Sequence, residues 1–143
     1  MTCDDQAERK KMKIALIAHD AKKKLMQNFC IAYRGILGKH EIYATGTTGR
    51  QIEDVTNLQI HKFLAGHLGG GQQIAMQIEH NQIDLVIFLR DPLNPMSHEV
   101  NANNLLQLCD MHNIPLATNL ATAELLIKSL DRGDMDFREM YKE

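Results

Sequence analysis

The chain of 143 residues has three cysteines, Cys3, Cys30 and Cys109. They are odd in number and widely spaced, with no C-x-x-C pair and no Cys/His ladder, so neither a disulfide framework nor a zinc site is indicated. A reducing cytoplasm is the simplest compartment. Three prolines and nine glycines are too few for a disordered spacer or a collagenous repeat. No charge of one sign dominates: 16 Lys and Arg against 18 Asp and Glu leave a net charge of -2. A nucleic-acid or anionic-membrane partner therefore has no bulk electrostatic support, and any anion site must be local. The longest apolar runs, Ile14 to Ala18 and Leu85 to Leu89, have five residues, far short of the ~20 that span a bilayer. A G-x-S-x-G elbow and a G-x-x-x-x-G-K-[ST] loop are also missing, which argues against an α/β-hydrolase or a P-loop nucleotidase.

What is present is a mass of 16.2 kDa with 44% apolar and 24% charged residues, the composition of one folded domain. Short β-branched apolar runs alternate with longer amphipathic stretches, the pattern of βα units laid into a parallel sheet. Five strands are expected, at Lys13 to Ala18, Glu41 to Ala44, Gln59 to Leu64, Asp84 to Leu89 and Pro115 to Thr118. The fourth has no polar alternation, as a central strand covered on both faces requires. Between the strands, apolar residues three and four apart form stripes, such as Leu25, Phe29, Tyr33 and Ile36, or Leu126, Ile127 and Leu130. The expected fold is a single three-layer α/β domain over residues 13–133, with a five-stranded open parallel sheet and helices on both faces. Residues 1–12 read as a loose leader without the apolar region of a signal peptide, and residues 134–143 as a charged, surface-lying tail.

Open parallel sheets collect ligands beyond the carboxyl ends of their strands, and the unusual residues of this sequence fall there. Thr45-Gly46-Thr47-Thr48-Gly49 reads as a phosphate cradle, with backbone amides at a helix start and three hydroxyls; the plainer reading is a turn with Thr48 as the helix cap. His19, Asp20 and Lys23 follow the first strand. There Asp20 suits a helix cap, while a lysine in a first turn opposes the helix dipole unless an anion is present. Ala65-Gly66-His67-Leu68-Gly69-Gly70-Gly71 has four glycines in six positions, consistent with a flexible loop or with one passing close to a ligand. Gln72 and Gln73 could donate to a ligand oxygen. Arg90 to Glu99 contains Asp91 before a proline, suited to a turn, and His98, able to polarise a carbonyl or move a proton. His40, His61, His67, His80 and His112 lack metal-ligand spacing, and the eight methionines are scattered as packing residues.

Taken together, Ile14-Ala-Leu-Ile-Ala-His-Asp20, Tyr43-Ala-Thr-Gly-Thr-Thr-Gly49, Gly69-Gly70 with Gln72-Gln73, Asp91-Pro-Leu-Asn94 with His98, and Ile114-Pro-Leu-Ala-Thr-Asn119 resemble the methylglyoxal synthase family, in order and spacing, over about Lys13 to Glu124. The resemblance implies a Rossmann-like domain in a cytoplasmic homohexamer, without metal or organic cofactor. It implies a carbon-oxygen lyase that turns dihydroxyacetone phosphate into methylglyoxal and inorganic phosphate, a bypass of glycolysis in which phosphate is also an inhibitor. By the same resemblance Lys23, Thr45, Gly46, Thr47, Thr48, Ala65 and Gly66 bind the phosphate, His19 and His98 bind near the carbonyl and hydroxyl oxygens, and Asp20 and Asp91 line the site. The sequence departs from the family at four positions. Gly71 occupies the place of the family's aspartate base, Asn101 that of a second aspartate, Ala65 that of a phosphate-binding serine and His67 that of a proline. Two functions follow: a synthase in which Asp20, Asp91 or Glu99 replaces the base, or a sensor of a phosphorylated metabolite, like the related regulatory domains of carbamoyl-phosphate synthetase.

Overall fold

The computed structural model describes residues 11–64, 69–93 and 102–142. Five parallel strands, β1 (Lys13–Ala18), β2 (Glu41–Thr45), β3 (Ile60–Phe63), β4 (Leu85–Leu89) and β5 (Leu116–Ala117), lie in the order β3-β2-β1-β4-β5. The helices are α1 (Lys23–Ala32), α2 (Arg34–Leu37), α3 (Gly46–Thr56), α4 (Gly70–Glu79), α5 (Ala102–His112) and α6 (Leu120–Arg132). The expected three-layer α/β architecture is the one observed.

Strand alternation divides the core in two. Ile14, Leu16 and Ala18 of β1, with Leu85, Ile87 and Leu89 of β4, face a cluster built by Met26 and Phe29 of α1, Leu37 of α2, Ile52 of α3 and Ile127 of α6. Ala15 and Ile17, with Val86 and Phe88, face Ile74 and Ile78 of α4 and Leu105 of α5. Because β1 and β4 are covered on both faces, β4 lacks polar residues throughout and β1 lacks them after Lys13. These two strands pair over five residues, from Ile14 against Leu85 to Ala18 against Leu89. Strand order reverses between them, so the crevice beyond Ala18 and Leu89 is the place where the sheet itself opens a binding site.

The strand edges move slightly from their expected limits. The third ends before Leu64, which is exposed, and the fifth retains only two residues. Both chain ends correct the expected picture more strongly. Met12, assigned to the loose leader, is buried, and its amide donates to His40 Nδ1 over 3.0 Å. The tail folds into a 3-10 helix, Asp136–Tyr141, with Arg138 fully buried rather than on the surface. Arg138 donates to the carbonyls of His112 (3.2 Å) and Ile83 (3.0 Å) and to Asn81 Oδ1 (2.7 Å), and lies 3.5 Å from Asp84 Oδ1. Lys142 approaches the same oxygen to 2.6 Å, while Asp84 Oδ2 accepts from the amide of Lys13 over 2.9 Å. A buried guanidinium is tolerated because carbonyls and a carboxylate replace its water. The tail thereby locks the amino ends of β1 and β4, at the opposite edge of the sheet from the crevice.

Candidate functional site

Each side of the crevice is built from one strand-to-helix junction. After β1 the chain makes a 3-10 turn, Asp20–Lys22, before α1 begins at Lys23. This turn swings Lys23 back over the strand end. Its Nζ donates to the carbonyl of Ala18 over 2.8 Å and to Thr48 Oγ1 over 3.3 Å, and lies 3.3 Å from Asp20 Oδ1. The Lys23 side chain is only 16% exposed, whereas that of Asp20 is 83% exposed. The ammonium is thus fixed and the carboxylate sits at the rim. A cation in the first turn of α1 opposes the helix dipole, and these oxygens offset that cost.

After β2, α3 starts at Gly46, and Thr45 rather than Thr48 occupies the cap position. Thr45 makes no side-chain capping bond, so it does not claim the amides of the first turn. The Gly46 amide donates to the Leu64 carbonyl over 3.2 Å, which ties the helix start to the end of β3. Thr45 and Thr48 are buried and Thr47 is half-buried. Gly49 is required by close packing, since a Cβ there would come within 2.6 Å of Lys62 Cγ. First-turn amides, threonine hydroxyls and the positive end of α3 beside a fixed ammonium form a surface chemically suited to an anion.

On the other side of the cradle, α4 begins at Gly70, preceded by Gly69 at φ +109°, a left-handed conformation open to glycine. Gly70 and Gly71 are buried at the helix start. Gln73 Oε1 accepts from the Leu64 amide over 2.8 Å, bracing the glycine loop across its ends, while the amide nitrogen expected as a donor is a separate group. Ala65, Gly66 and His67 of that loop, like His98, Glu99 and Asn101, lie outside the described residues.

The third wall joins β1 to β4. His19 is buried, its ring edge-on to Phe88 at a centroid distance of 5.1 Å. Its amide donates to the Leu89 carbonyl over 3.1 Å, and its Nδ1 accepts from the Asp91 amide over 2.8 Å. An accepting Nδ1 carries no proton, so the ring proton of neutral His19 is on Nε2. His19 is then a neutral donor, the kind of group that stabilises a developing oxyanion without supplying a competing charge. Asp91 Oδ1 accepts from the Leu93 amide over 2.9 Å, forming the turn that the proline in this segment suggests. Asn119 caps α6, accepting from the Thr122 amide over 3.0 Å. Among the described residues no group of three His, Cys, Asp or Glu side chains could hold a metal ion.

The chain as a whole has relatives of known family. Residues 26–118 match the model of the MGS-like domain. A methylglyoxal synthase of Caldicellulosiruptor saccharolyticus is 66% identical over 129 residues, covering 90% of this chain and 92% of that protein. This chain belongs to the methylglyoxal synthase family. A methylglyoxal synthase of Bacillus subtilis is 55% identical over 131 residues, 92% of this chain and 96% of that protein. The crystal structure of the methylglyoxal synthase of Elizabethkingia anophelis superposes with a TM-score of 0.80 at 36% identity, over 90% of this chain and 81% of that one. Family membership extends across the described crevice and includes both strand-to-helix junctions. Among the described residues, no helix is long and apolar enough to cross a membrane.

Proposed function

We propose that this chain is a methylglyoxal synthase, a lyase converting dihydroxyacetone phosphate to methylglyoxal and inorganic phosphate. The observation that carries the reading is the fixed Lys23 ammonium, 3.3 Å from Thr48 Oγ1 at the open start of α3, in a chain of this family. The phosphate group of the substrate sits in this cradle, held by Lys23, Thr45, Gly46, Thr47 and Thr48, with Ala65 and Gly66 completing it. His19 Nε2–H, together with His98, meets the carbonyl and hydroxyl oxygens. Gly71 has no side chain to take a proton, and Asp91 Oδ1 is committed to its turn. We assign the base to Asp20, on the rim beside Lys23, in preference to Asp91 and Glu99.

The Asp20 carboxylate removes a proton from the hydroxymethyl carbon, and the electron pair moves onto the carbonyl oxygen to give an enediolate. The hydroxyl proton passes to that oxygen; as the charge left on the other oxygen collapses into an aldehyde, the double bond shifts toward the phosphate-bearing carbon and its bond to phosphate breaks, phosphate leaving with the bonding pair and taking the proton held by Asp20. The hydroxyl carbon becomes the aldehyde, and the remaining enol takes up a proton at its methylene carbon to form methylglyoxal. Atoms balance without water or an oxidant. Donors in the crevice lower the enediolate barrier and the cradle lowers the cost of expelling a polyanion. The enzyme works as a cytoplasmic homohexamer inhibited by its product phosphate, on a route that bypasses later glycolysis.

The test is incubation of purified protein with dihydroxyacetone phosphate, following methylglyoxal and phosphate together, beside Asp20→Asn and Gly71→Asp. Stoichiometric release by the unmodified chain, lost in Asp20→Asn with phosphate binding retained, is expected. Activity retained in Asp20→Asn would remove Asp20 as the base. No release by the unmodified chain, with rescue by Gly71→Asp, would overturn the synthase reading and leave a catalytically silent phosphate binder.

A further inference from the structure

A cavity of about 340 Å³ opens at the amino edge of the sheet, the edge opposite the crevice. Its apolar lining comes from Leu37 of α2, Ile42 of β2 and Leu58 before β3. Its polar lining comes from three separate approaches to the sheet: Lys11 before β1, His40 and Glu41 at the start of β2, and Asn57, Gln59 and His61 around the start of β3. None of these residues belongs to the cradle or to the His19 wall.

One ammonium and one carboxylate line this cavity without meeting. Among the described residues the Lys11 side chain makes no hydrogen bond or ion pair, and the Glu41 carboxylate accepts from Tyr43 Oη over 3.3 Å but pairs with no cation. Their backbones are nonetheless close, since the Glu41 amide donates over 3.0 Å to the carbonyl of Met12, the neighbour of Lys11. Opposite charges held on one concavity and left free of each other suit a molecule that carries both signs a short distance apart. A bare oxyanion drawn to Lys11 would meet the Glu41 carboxylate. The carboxyl end of α3, capped by Asn57 at φ +60°, adds the negative end of a helix dipole and so favours an ammonium on that side. The side-chain amides of Asn57 and Gln59 make no hydrogen bond among the described residues. His40 has its Nδ1 taken by the Met12 amide, so in its neutral form the ring proton is on Nε2. A few placed polar groups on an apolar lining, at this volume, are what a small-molecule site requires.

We propose that this cavity binds a free α-amino acid with an apolar side chain. Lys11 takes its carboxylate and Glu41 its ammonium, in charge-assisted hydrogen bonds, while Leu37, Ile42 and Leu58 receive the side chain. The occupant bridges the approaches to β1, β2 and β3 and has no access to the crevice, so it is a ligand and not a substrate.

Equilibrium dialysis of the full chain with L-valine, L-leucine and L-methionine, read beside the melting temperature, is the test. At least one of the three should bind saturably at one per chain and raise the melting temperature. The amide derivative of that amino acid lacks the carboxylate charge and its N-acetyl derivative lacks the ammonium; each should bind at least about tenfold more weakly. Lys11→Met should weaken the amino acid by a similar factor and leave the amide derivative unaffected, and Glu41→Gln should do the same with respect to the N-acetyl derivative. Lys11 is exposed, so its substitution should not change the melting temperature of the unliganded protein. Lys23→Met, which disables the cradle, should leave amino-acid binding intact. No saturable binding of any of the three, equal binding of the two derivatives, unchanged affinity in both Lys11→Met and Glu41→Gln, or loss of binding in Lys23→Met overturns the proposal. Binding is read without turnover, so its failure is distinguishable from failure of the synthase reading.

Discussion

His19 and Asp91 stand 72 residues apart in the chain, and the amide of Asp91 donates to His19 Nδ1 over 2.8 Å. This one bond spans the two strands between which the sheet order reverses, and it fixes both the tautomer of the histidine and the direction of the chain leaving β4. The residue proposed to donate to substrate is therefore held by the chain leaving β4.

His19→Phe keeps a ring against Phe88 but removes both nitrogens. The Asp91 amide then loses its acceptor, which costs about 1–3 kcal/mol in a partly buried position. Loss of the Nε2 donor should lower kcat for methylglyoxal release by about 10²- to 10³-fold. Steady-state kinetics with a thermal melt measure both; a variant with undiminished kcat would show that His19 does not act on the reaction.

Arg138→Met removes a buried guanidinium from three carbonyl or amide oxygens and from the vicinity of Asp84. Breaking such a cluster from one side should destabilise the fold by about 3–5 kcal/mol. The urea midpoint reads the loss. Since the cluster is at the amino edge of the sheet, product formation by the folded fraction should be unchanged. An unshifted midpoint would contradict the anchoring role.

Burial holds His40 below the ordinary imidazole range; Asp131 and Asp84 act against that shift, and Lys39 and Lys11 reinforce it. Its Nδ1 also accepts from the Met12 amide. With the folded value lowered, the unfolded chain takes up the proton first. The contribution of His40 is then complete above the unfolded value of about 6.5, and is lost as pH falls from there through the folded value. Melting temperatures of the unmodified protein should fall between pH 7.5 and 5 more steeply than those of His40→Asn, whose amide oxygen can accept the same bond. Parallel curves would refute this.

The thiols of Cys30 and Cys109 are both pushed up to about 12, by burial in the first case and by burial with nearby Asp110 in the second. Thiolate is the reactive form, so iodoacetamide at pH 8 should leave both unmodified in the native protein and label them after guanidinium unfolding. Peptide mass spectrometry separates them from Cys3. Rapid native labelling of either would mean that the core opens on the labelling timescale.

Much of the site was legible because its determinants are local. A run of Leu85 to Leu89 without polar residues specifies a doubly covered strand, and glycine and threonine after strand ends specify close backbone approach. The same locality misled where a side chain's partner was distant. Arg138 sits among Asp136, Glu139 and Lys142 and reads as part of a solvated tail, yet Ile83 and Asn81 complete it from 55 and 57 residues away. Thr48 has the composition of a helix cap, while pairing of β2 with β3 through Thr45 and Phe63 sets the helix start earlier.

The sequence by itself determined the alternation of strands and helices, the βα junctions where its unusual residues fall and membership of the family, because hydrophobic period and turn residues act over a few positions. Tertiary structure alone decided that Lys23, in the first turn of α1, reaches Thr48 of α3. It also decided that the histidine after β1 is oriented by the amide after β4, and that the charged tail becomes part of the core. Each of these depends on which strands lie side by side, and that is set by burial of two opposed apolar faces across the whole sheet.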